Sequence, residues 1–236
     1  MINASSLKTL RFETLASTQE YCKEKRGEKE NLFVVAKSQP MGNGTKGRSF
    51  SSEKGGLYLS MLLYPENFLA ENAFLVMARS AVAVCKTLEG LGISPTIKWP
   101  NDIHVRGTKI CGILIENQLQ GKFLSSLIVG VGLNINNPLP PELSSIATSV
   151  CLELGEEVDI LEVEEGFRTA FFSPFSFVEY TARLGYLGEK VTLAFEGKTE
   201  EATLLSVNER GGLIAYMGGE KREFYAGEVT LRGWKA

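Results

Sequence analysis

Apolar residues recur along the first two thirds of the chain in short runs that are separated by polar, glycine-containing connections. Runs such as Leu32–Ala36 and Leu57–Leu63 have the length and composition of buried strands. From 71 to 91 the apolar residues are spaced three or four apart, which predicts one long amphipathic helix. Ser17 and Thr18 are typical helix caps and predict a helix start there. Further strands are predicted at 7–15, 96–99, 109–117 and 124–133.

The last third of the chain has a different rhythm. Residues 159–184 have a helical pattern that is interrupted at Ser173-Pro174, which predicts two short helices. After a linker at 185–188, turn residues separate short strands, as in small all-β units. These strands are predicted at 190–195, 201–208, 212–217, 220–225 and 228–232. We therefore predict an α+β protein, with a mixed-sheet domain over 1–185 and a small all-β barrel over 186–236.

Composition narrows the function. At 236 residues the chain can bury about 70–75% of its unfolded surface, and its net charge of −3 argues against a nucleic-acid partner. No apolar run reaches membrane-spanning length or resembles a secretion signal. The scattered Cys22, Cys85, Cys111 and Cys151 lack zinc-site spacing. With His104 as the only histidine, we expect a cytoplasmic protein with no metal site of its own, whose chemistry uses lysine, arginine and carboxylates.

Two neighbouring segments carry the candidate chemistry. Lys98, Asn101 and Asp102 place a cation, an amide and a carboxylate between apolar flanks. Lys109 and Gly112 then add a second cation and a glycine at the start of the next strand. Polar loops held between rigid strands commonly carry function. A plain turn is the alternative, because Asn-Asp is an ordinary turn dipeptide, but a turn requires neither lysine.

The segments 98–102, Lys-Trp-Pro-Asn-Asp, and 109–116, Lys-Ile-Cys-Gly-Ile-Leu-Ile-Glu, resemble the central signature of biotin protein ligases (biotin–[acetyl-CoA-carboxylase] ligases), K-W-P-N-D followed by K-x-x-G-I-L-x-E. The resemblance covers 9–150 strongly and 186–232 moderately. It implies the class II synthetase-like fold of biotin ligases, with biotin, ATP and Mg²⁺ as ligands. The first predicted strand starts near Met1, so we expect the stand-alone type without an N-terminal DNA-binding domain.

A glycine-rich loop over 42–47 matches the dinucleotide fingerprint G-x-G-x-x-G by letter, but a strand rather than a helix follows it. Walker spacing is absent as well. The loop resembles the ligase loop G-R-G-R-x-G-R-x-W, which closes over biotin and the adenylate; a solvated connection is the alternative. The resemblance assigns biotin contacts to Gly42, Asn43, Gly44 and Thr45, and ATP contacts to Arg48 and Phe50. Thr45 stands where the family has arginine, which predicts faster release of the adenylate.

Other positions match the family in pairs or triplets. Ser17-Thr18-Gln19 resembles the S-T-N triplet that contacts the ureido ring of biotin, although a helix cap would look the same. Gln39 corresponds to a glutamine near the same ring.

Two further matches concern the nucleotide. Asn134 follows Gly130-Val131-Gly132 and resembles the asparagine that reads adenine, although a strand end with a bulge is the alternative. Glu228 and Arg232 resemble C-terminal residues that reach ATP, although an exposed strand-edge pair would look identical.

The resemblance implies two half-reactions and a role for each central residue. Lys109 and Arg48 bridge the biotin carboxylate and the α-phosphate of ATP while the adenylate forms. Asp102 orients the acceptor amine or accepts its proton, and Asn101 supports the nucleotide. Lys109 and Gly112 also contact biotin, and Lys98 is as consistent with a structural role as with ligand binding.

The implied acceptor is a lysine on the biotin carboxyl carrier domain of a carboxylase, with a homodimer possible and neither nucleic acid nor membrane as a partner. Three alternatives stay open. A lipoate or octanoate ligase shares the fold, a biotin-sensing repressor needs an additional N-terminal helix-turn-helix, and a non-catalytic biotin-binding module would keep the pocket.

Overall fold

The computed structural model describes residues 7–42 and 50–232. The helices are α1 (Thr18–Glu24), α2 (Ala73–Gly90), α3 (Val150–Leu154), α4 (Ile160–Phe172) and α5 (Phe177–Thr181). The first seven strands are β1 (Lys8–Phe12), β2 (Leu32–Ala36), β3 (Leu57–Leu63), β4 (Thr96–Lys98), β5 (Asp102–Val105), β6 (Thr108–Gln120) and β7 (Phe123–Leu133). The last five are β8 (Lys190–Phe195), β9 (Lys198–Val207), β10 (Leu213–Met217), β11 (Glu220–Phe224) and β12 (Thr230–Arg232).

The first seven strands form one mixed sheet in the order β1-β2-β3-β7-β6-β5-β4. β1 and β2 run parallel, and the other neighbours are antiparallel. Strands β2 and β3 are buried along their whole length, because helices cover both faces of the sheet. This arrangement confirms the predicted mixed α+β architecture.

The two faces have separate cores. On one face Cys22 of α1 packs against a small cluster with Leu32, Val34, Leu62 and Ile128. On the opposite face α2 packs on α4, α5 and β6 within the main core. β3 alternates accordingly: Leu59 and Met61 belong to the main core, which leaves Ser60 on the α1 face.

Local chain features explain where several elements begin and end. Ser17 caps α1 by accepting the Glu20 N–H, and α4 stops before the predicted break. Ser176 then opens α5 with a capping box completed by Glu179. Two short elements, β5 and α3, were not predicted; β5 begins at Asp102, inside the segment read as a loop.

The C-terminal strands form an antiparallel sheet in the order β11-β10-β9-β8-β12. This confirms the all-β character of the region but corrects the barrel prediction, because no pairing between β11 and β12 closes the sheet in the part of the chain that the structure describes. The connections of the two sheets are in contact: the indole N–H of Trp99, just after β4, donates at 3.1 Å to the carbonyl of Gly211, in the turn between β9 and β10. Over the same described ranges, no helix is long and apolar enough to span a membrane.

Candidate functional site

A cleft of about 500 Å³ opens on the α1 face of the first sheet. Its walls come from the start of α1, from the middle of β3, from Lys109 and from the segments 101–102 and 112–114. The central glycines of β7 complete it. Most of the residues predicted from the sequence to contact ligand within the described ranges meet here: Thr18, Gln19, Gln39, Phe50, Asn101, Asp102, Lys109 and Gly112.

The floor of the cleft is bare backbone. Gly112 of β6 lies opposite Gly132 of β7, and Gly130 is the next cleft-facing residue along β7. A Cβ on Gly132 would stand 2.8 Å from the Phe50 ring, and a Cβ on Gly130 would stand 2.5 Å from Gln19 Oε1. Side chains at these positions would therefore collide with the walls, so the glycines create the room that a ligand needs.

A β-bulge brings Lys109 to this floor. His104 pairs with Lys109 and Ile103 pairs with Cys111, so Ile110 is an extra residue on β6. Both Ile110 and Cys111 are buried in the main core, which breaks the alternation of faces along the strand. Lys109 consequently shares the cleft face with a residue three positions away, Gly112, which regular pleating would not allow.

Lys109 and Asp102 form an ion pair, with Nζ and Oδ1 2.6 Å apart and each side chain about a third or less exposed. Asn101 holds this corner in place: its Nδ2 donates to the Ile113 carbonyl at 2.7 Å, and its own carbonyl accepts the Ile113 N–H. An ammonium group has three donors, so Lys109 can hold Asp102 and still face an anion in the cleft.

The other end of the cleft is polar and closed. The Thr18 N–H donates to Gln39 Oε1 at 2.7 Å, and the Thr18 hydroxyl lies 2.8 Å from the buried Ser60 hydroxyl. Ser60 in turn donates to Gln19 Oε1 at 3.1 Å. The Thr18 hydroxyl also lies 3.0 Å from Gln39 Oε1. Each hydroxyl has one proton, so when Ser60 donates to Gln19, the Thr18 hydroxyl donates either to Ser60 or to Gln39.

The Gln19 amide is the last group in this series of hydrogen bonds, and its NH₂ group donates to no other described residue. Gln19 is 4% exposed, and its Nε2 atom has no hydrogen-bond partner within the described residues. A buried amide without a partner costs about 1–3 kcal/mol, which a ligand with a carbonyl acceptor would recover. Because Gln19 lines the cleft, the closed end is suited to a small polar ring that accepts a hydrogen bond.

Phe50 closes the cleft from the side of the glycine-rich loop. Its ring lies against Gly132 and 5.9 Å from Lys109 Nζ, and its N–H donates to the Gly42 carbonyl at 2.9 Å. Gly42 and Phe50 are therefore paired at the base of the glycine-rich loop. The predicted residues Asn43, Gly44, Thr45 and Arg48 lie outside the described residues.

Three other predicted residues lie elsewhere. Asn134 is 5% exposed, and both ends of its amide are bonded within the protein, to the Thr148 carbonyl and to Asn137. Glu228 is exposed and accepts the Tyr225 N–H of its own loop at 2.6 Å. For Arg232 the structure gives the backbone, which ends β12. Ser17 is a buried cap at the cleft wall.

A second and larger cleft of about 1030 Å³ adjoins the first. It lies between the central motif and the C-terminal sheet, with Trp99, Pro100 and Val229 among its walls. Asn101 and Asp102 line both clefts, so the carboxylate of Asp102 is located where they meet.

Burial sets the state of the neighbouring ionisable groups. His104, the strand partner of Lys109, is 5% exposed, and burial lowers its pKa to about 4. Its Nδ1 is bonded to the Gly107 carbonyl at 3.1 Å, so the proton lies on Nδ1. Burial also raises the pKa of the Cys111 thiol. His104 is therefore neutral at pH 7, and among the described residues that line the cleft the positive charge is that of Lys109.

Sequence reasoning missed Ser60 and did not assign ligand contacts to Gly130 and Gly132, although all three line the cleft. Ser60 had a readable signal, because it is the single hydroxyl-bearing small residue in the otherwise apolar run Leu57–Leu63. Within the described ranges, no group of three or more His, Cys, Asp or Glu side chains is placed to hold a metal ion.

The chain is similar to known proteins in both sequence and fold. The sequence model of the Biotin/lipoate A/B protein ligase family matches residues 12–134. The bifunctional ligase/repressor BirA of Bacillus subtilis is 30% identical over 236 residues, which cover 93% of this chain and 72% of the relative. The biotin–[acetyl-CoA-carboxylase] ligase of Paracoccus denitrificans is 26% identical, over 86% of this chain and 91% of that protein.

Among solved structures, the biotin protein ligase from Aquifex aeolicus in complex with biotin and ATP has a TM-score of 0.79 and 31% sequence identity. The match covers 97% of this chain and 99% of that chain. The resemblance read from the sequence is therefore confirmed.

Proposed function

The chain belongs to the biotin/lipoate A/B protein ligase family, and on that basis we propose that it is an ATP-dependent biotin–protein ligase. It activates biotin as biotinyl-5'-AMP and transfers the biotinyl group to a lysine of a biotin carboxyl carrier domain.

One observation carries this proposal: Lys109 and the buried amide of Gln19 line the same narrow cleft. A molecule with a carboxylate at one end and a small polar ring at the other satisfies both. Biotin has that form, since its valerate carboxylate suits the lysine and its ureido carbonyl accepts a hydrogen bond.

The closed end favours biotin over lipoate or octanoate. Thr18, Gln19 and Ser60 form a buried polar group there. An alkyl or dithiolane tail offers no partner for the Gln19 Nε2 donors and would leave the desolvation cost of about 1–3 kcal/mol unrecovered. A ureido ring recovers it, and this difference is the physical basis for selecting the substrate.

Activation needs fixed positive charge where a carboxylate approaches a phosphate. The biotin carboxylate attacks the α-phosphorus of ATP, a bond to pyrophosphate breaks, and negative charge grows on the phosphoryl oxygens. Lys109 is held on a bulged strand and tied to Asp102, so its remaining donors are preorganised for that charge. Arg48 is proposed as the second cation, and Mg²⁺ is expected to accompany the nucleotide.

Transfer requires a neutral lysine amine, whose ordinary pKa is about 10.4. Asp102 is proposed to orient the incoming amine and to accept its proton. A bond forms between the amine nitrogen and the carbonyl carbon of the biotinyl group. The bond from that carbon to the phosphate oxygen breaks, and AMP leaves. Because Asp102 lines both clefts, we infer that the acceptor lysine approaches through the larger one while the adenylate occupies the smaller one.

The proposal is tested by incubating the protein with a purified carboxylase carrier domain, ATP, Mg²⁺ and biotin, and then measuring the mass of the carrier. Lipoate and octanoate are offered in parallel reactions. We expect biotin on a single lysine, lost in Lys109→Ala and retained in Lys122→Ala, a control at the tip of the β6–β7 hairpin. Transfer of lipoate or octanoate alone would keep the fold and overturn the substrate. Biotin binding without any transfer would indicate a binding module.

A further inference from the structure

Lys109 lies beyond the end of β7, and a different part of the chain takes the place of β7 beside it. β7 ends at Leu133. The Lys109 N–H donates to the Ile146 carbonyl at 2.9 Å, and the Thr148 N–H donates to the Lys109 carbonyl at 2.9 Å. The backbone of Lys109 is therefore held by a two-bond parallel bridge to a segment that follows it by nearly forty positions in the sequence.

The carboxylate of Glu153 connects the two sides of this bridge. The Thr148 hydroxyl donates to Glu153 Oε1 at 2.6 Å, and the other Glu153 oxygen forms an ion pair with Arg106. The Glu153 side chain is only 8% exposed. Since Arg106 belongs to the turn that leads into β6, Glu153 connects the chain just before Lys109 with the segment that pairs with Lys109.

Asn134 completes the attachment from the interior. Its Nδ2 donates to the Thr148 carbonyl at 3.1 Å, and its backbone N–H donates to the Ile110 carbonyl at 3.0 Å. Ile110 is the extra residue of the bulge. The residues around Thr148 thus hold the bulge on the side that β7 leaves open.

We propose that Thr148 and Glu153 are positioning residues for Lys109, acting through the backbone bridge; this inference rests on the proposed function. The bulge is what turns Lys109 towards the cleft, and a bulged residue is less constrained by its regular neighbours. Loss of the Thr148–Glu153 bond frees the bridge and lets the lysine amine move. A displacement of about 1 Å at a reacting group can lower the rate by about a hundredfold.

The variants are chosen in matched pairs. Thr148→Val removes the hydroxyl with little change in shape, whereas Thr148→Ser keeps it. Glu153→Ala removes the carboxylate, and Glu142→Ala removes an exposed one from the same connecting segment. We expect Thr148→Val and Glu153→Ala to lower kcat for adenylate formation by about tenfold or more while KM for biotin changes by less than about twofold. Thr148→Ser and Glu142→Ala should retain wild-type kcat.

Amide hydrogen exchange gives the second readout and does not depend on activity. In Thr148→Val and Glu153→Ala we expect the Lys109 and Thr148 amides to exchange about tenfold faster, with the β3 amides unchanged. Wild-type kcat and exchange in Thr148→Val, or an equal loss of kcat in Thr148→Ser, would overturn the proposal. Faster exchange throughout β3 as well would also overturn it, by indicating general destabilisation.

The two proposals fail in distinguishable ways. If the wild-type protein forms no adenylate, the proposed function is wrong. The exchange measurement alone then decides whether the Thr148–Glu153 bond holds the backbone bridge at Lys109. If the wild type is active and the matched variants do not differ, only the positioning roles of Thr148 and Glu153 are lost.

Discussion

The amine of Lys109 lies 3.0 Å from the point where a Cβ on Gly112 would stand, so the lysine occupies the space that the glycine leaves empty. Gly112→Ala would push the amine by a few tenths of an ångström against its ion pair with Asp102. We expect kcat for adenylate formation to fall by about tenfold, because a cation that stabilises developing charge depends on its position. Gly27→Ala, at a site with open space around it, should leave kcat unchanged in the same assay.

A substitution at Gly130 should weaken binding of biotin at the polar end of the cleft. A Cβ on Gly130 would stand 2.5 Å from Gln19 Oε1, so Gly130→Ala must displace the Gln19 amide. Loss of one hydrogen bond to biotin corresponds to about a tenfold weaker Kd. Calorimetric titration with biotin alone measures it, and Gly90→Ala, which has no neighbour within 4 Å, serves as control. An unchanged Kd in Gly130→Ala would remove Gln19 from the biotin site.

His104 predicts a loss of stability in acid. Burial lowers its pKa from 6.5 to about 4, so between these pH values the unfolded chain binds a proton that the folded protein does not. The free energy of unfolding therefore has its full value above pH 6.5 and decreases as the pH falls from 6.5 to about 4. This decrease is at most about 3 kcal/mol.

Urea unfolding at pH 7 and pH 4.5 measures this dependence. We expect His104→Asn, whose amide can replace the Nδ1 donor, to lose about 2 kcal/mol less than the wild type between the two pH values. Parallel pH profiles for the two proteins would contradict the assignment to His104.

A two-bond ion pair joins the edge strand β1 to α4. The Arg11 guanidinium donates to both oxygens of Glu164 at 2.6 and 2.7 Å, and the Glu164 side chain is 1% exposed. Glu164→Gln should lower the free energy of unfolding by about 1–2 kcal/mol, because a charge-assisted bond is lost at a buried site. The exposed pair between Lys8 and Glu30 provides the control: Glu30→Gln should cost less than about 0.5 kcal/mol. Equal effects of the two substitutions would show that burial does not strengthen the Arg11 pair.

Much of the first sheet could be predicted because its strands are continuous apolar runs, as in Leu57–Leu63, and because α2 repeats its apolar residues at helical spacing. β5 escaped prediction because it is four residues long and begins within the polar motif at Asp102. The barrel prediction failed for another reason: turn spacing reveals strands, but it does not reveal whether the outermost strands pair with each other.

For the site, the sequence motif alone predicts that Lys109, Asp102 and Gly112 lie together. The bulge at Ile110 could not be predicted, since it depends on the register between two strands. The same applies to Asn134, whose amide turns inward because Thr148, distant in sequence, supplies its partner. Contacts of this kind are decided by tertiary packing and leave no local pattern in the sequence.

The hydrogen bond from Trp99 to Gly211 spans 112 positions of the sequence and ties the turn that leads into β5 to the turn between β9 and β10. Gly211 has a φ of +87°, and a Cβ there would stand 2.4 Å from the Phe74 ring, so this turn fits tightly against α2. A partner or substitution that moves the turn would therefore also move the Trp99 indole, which stands three positions before Asp102. Cutting the chain at residue 185 would remove the acceptor of the Trp99 N–H and one wall of the larger cleft, so we expect the C-terminal sheet to be needed for the chemistry of the cleft.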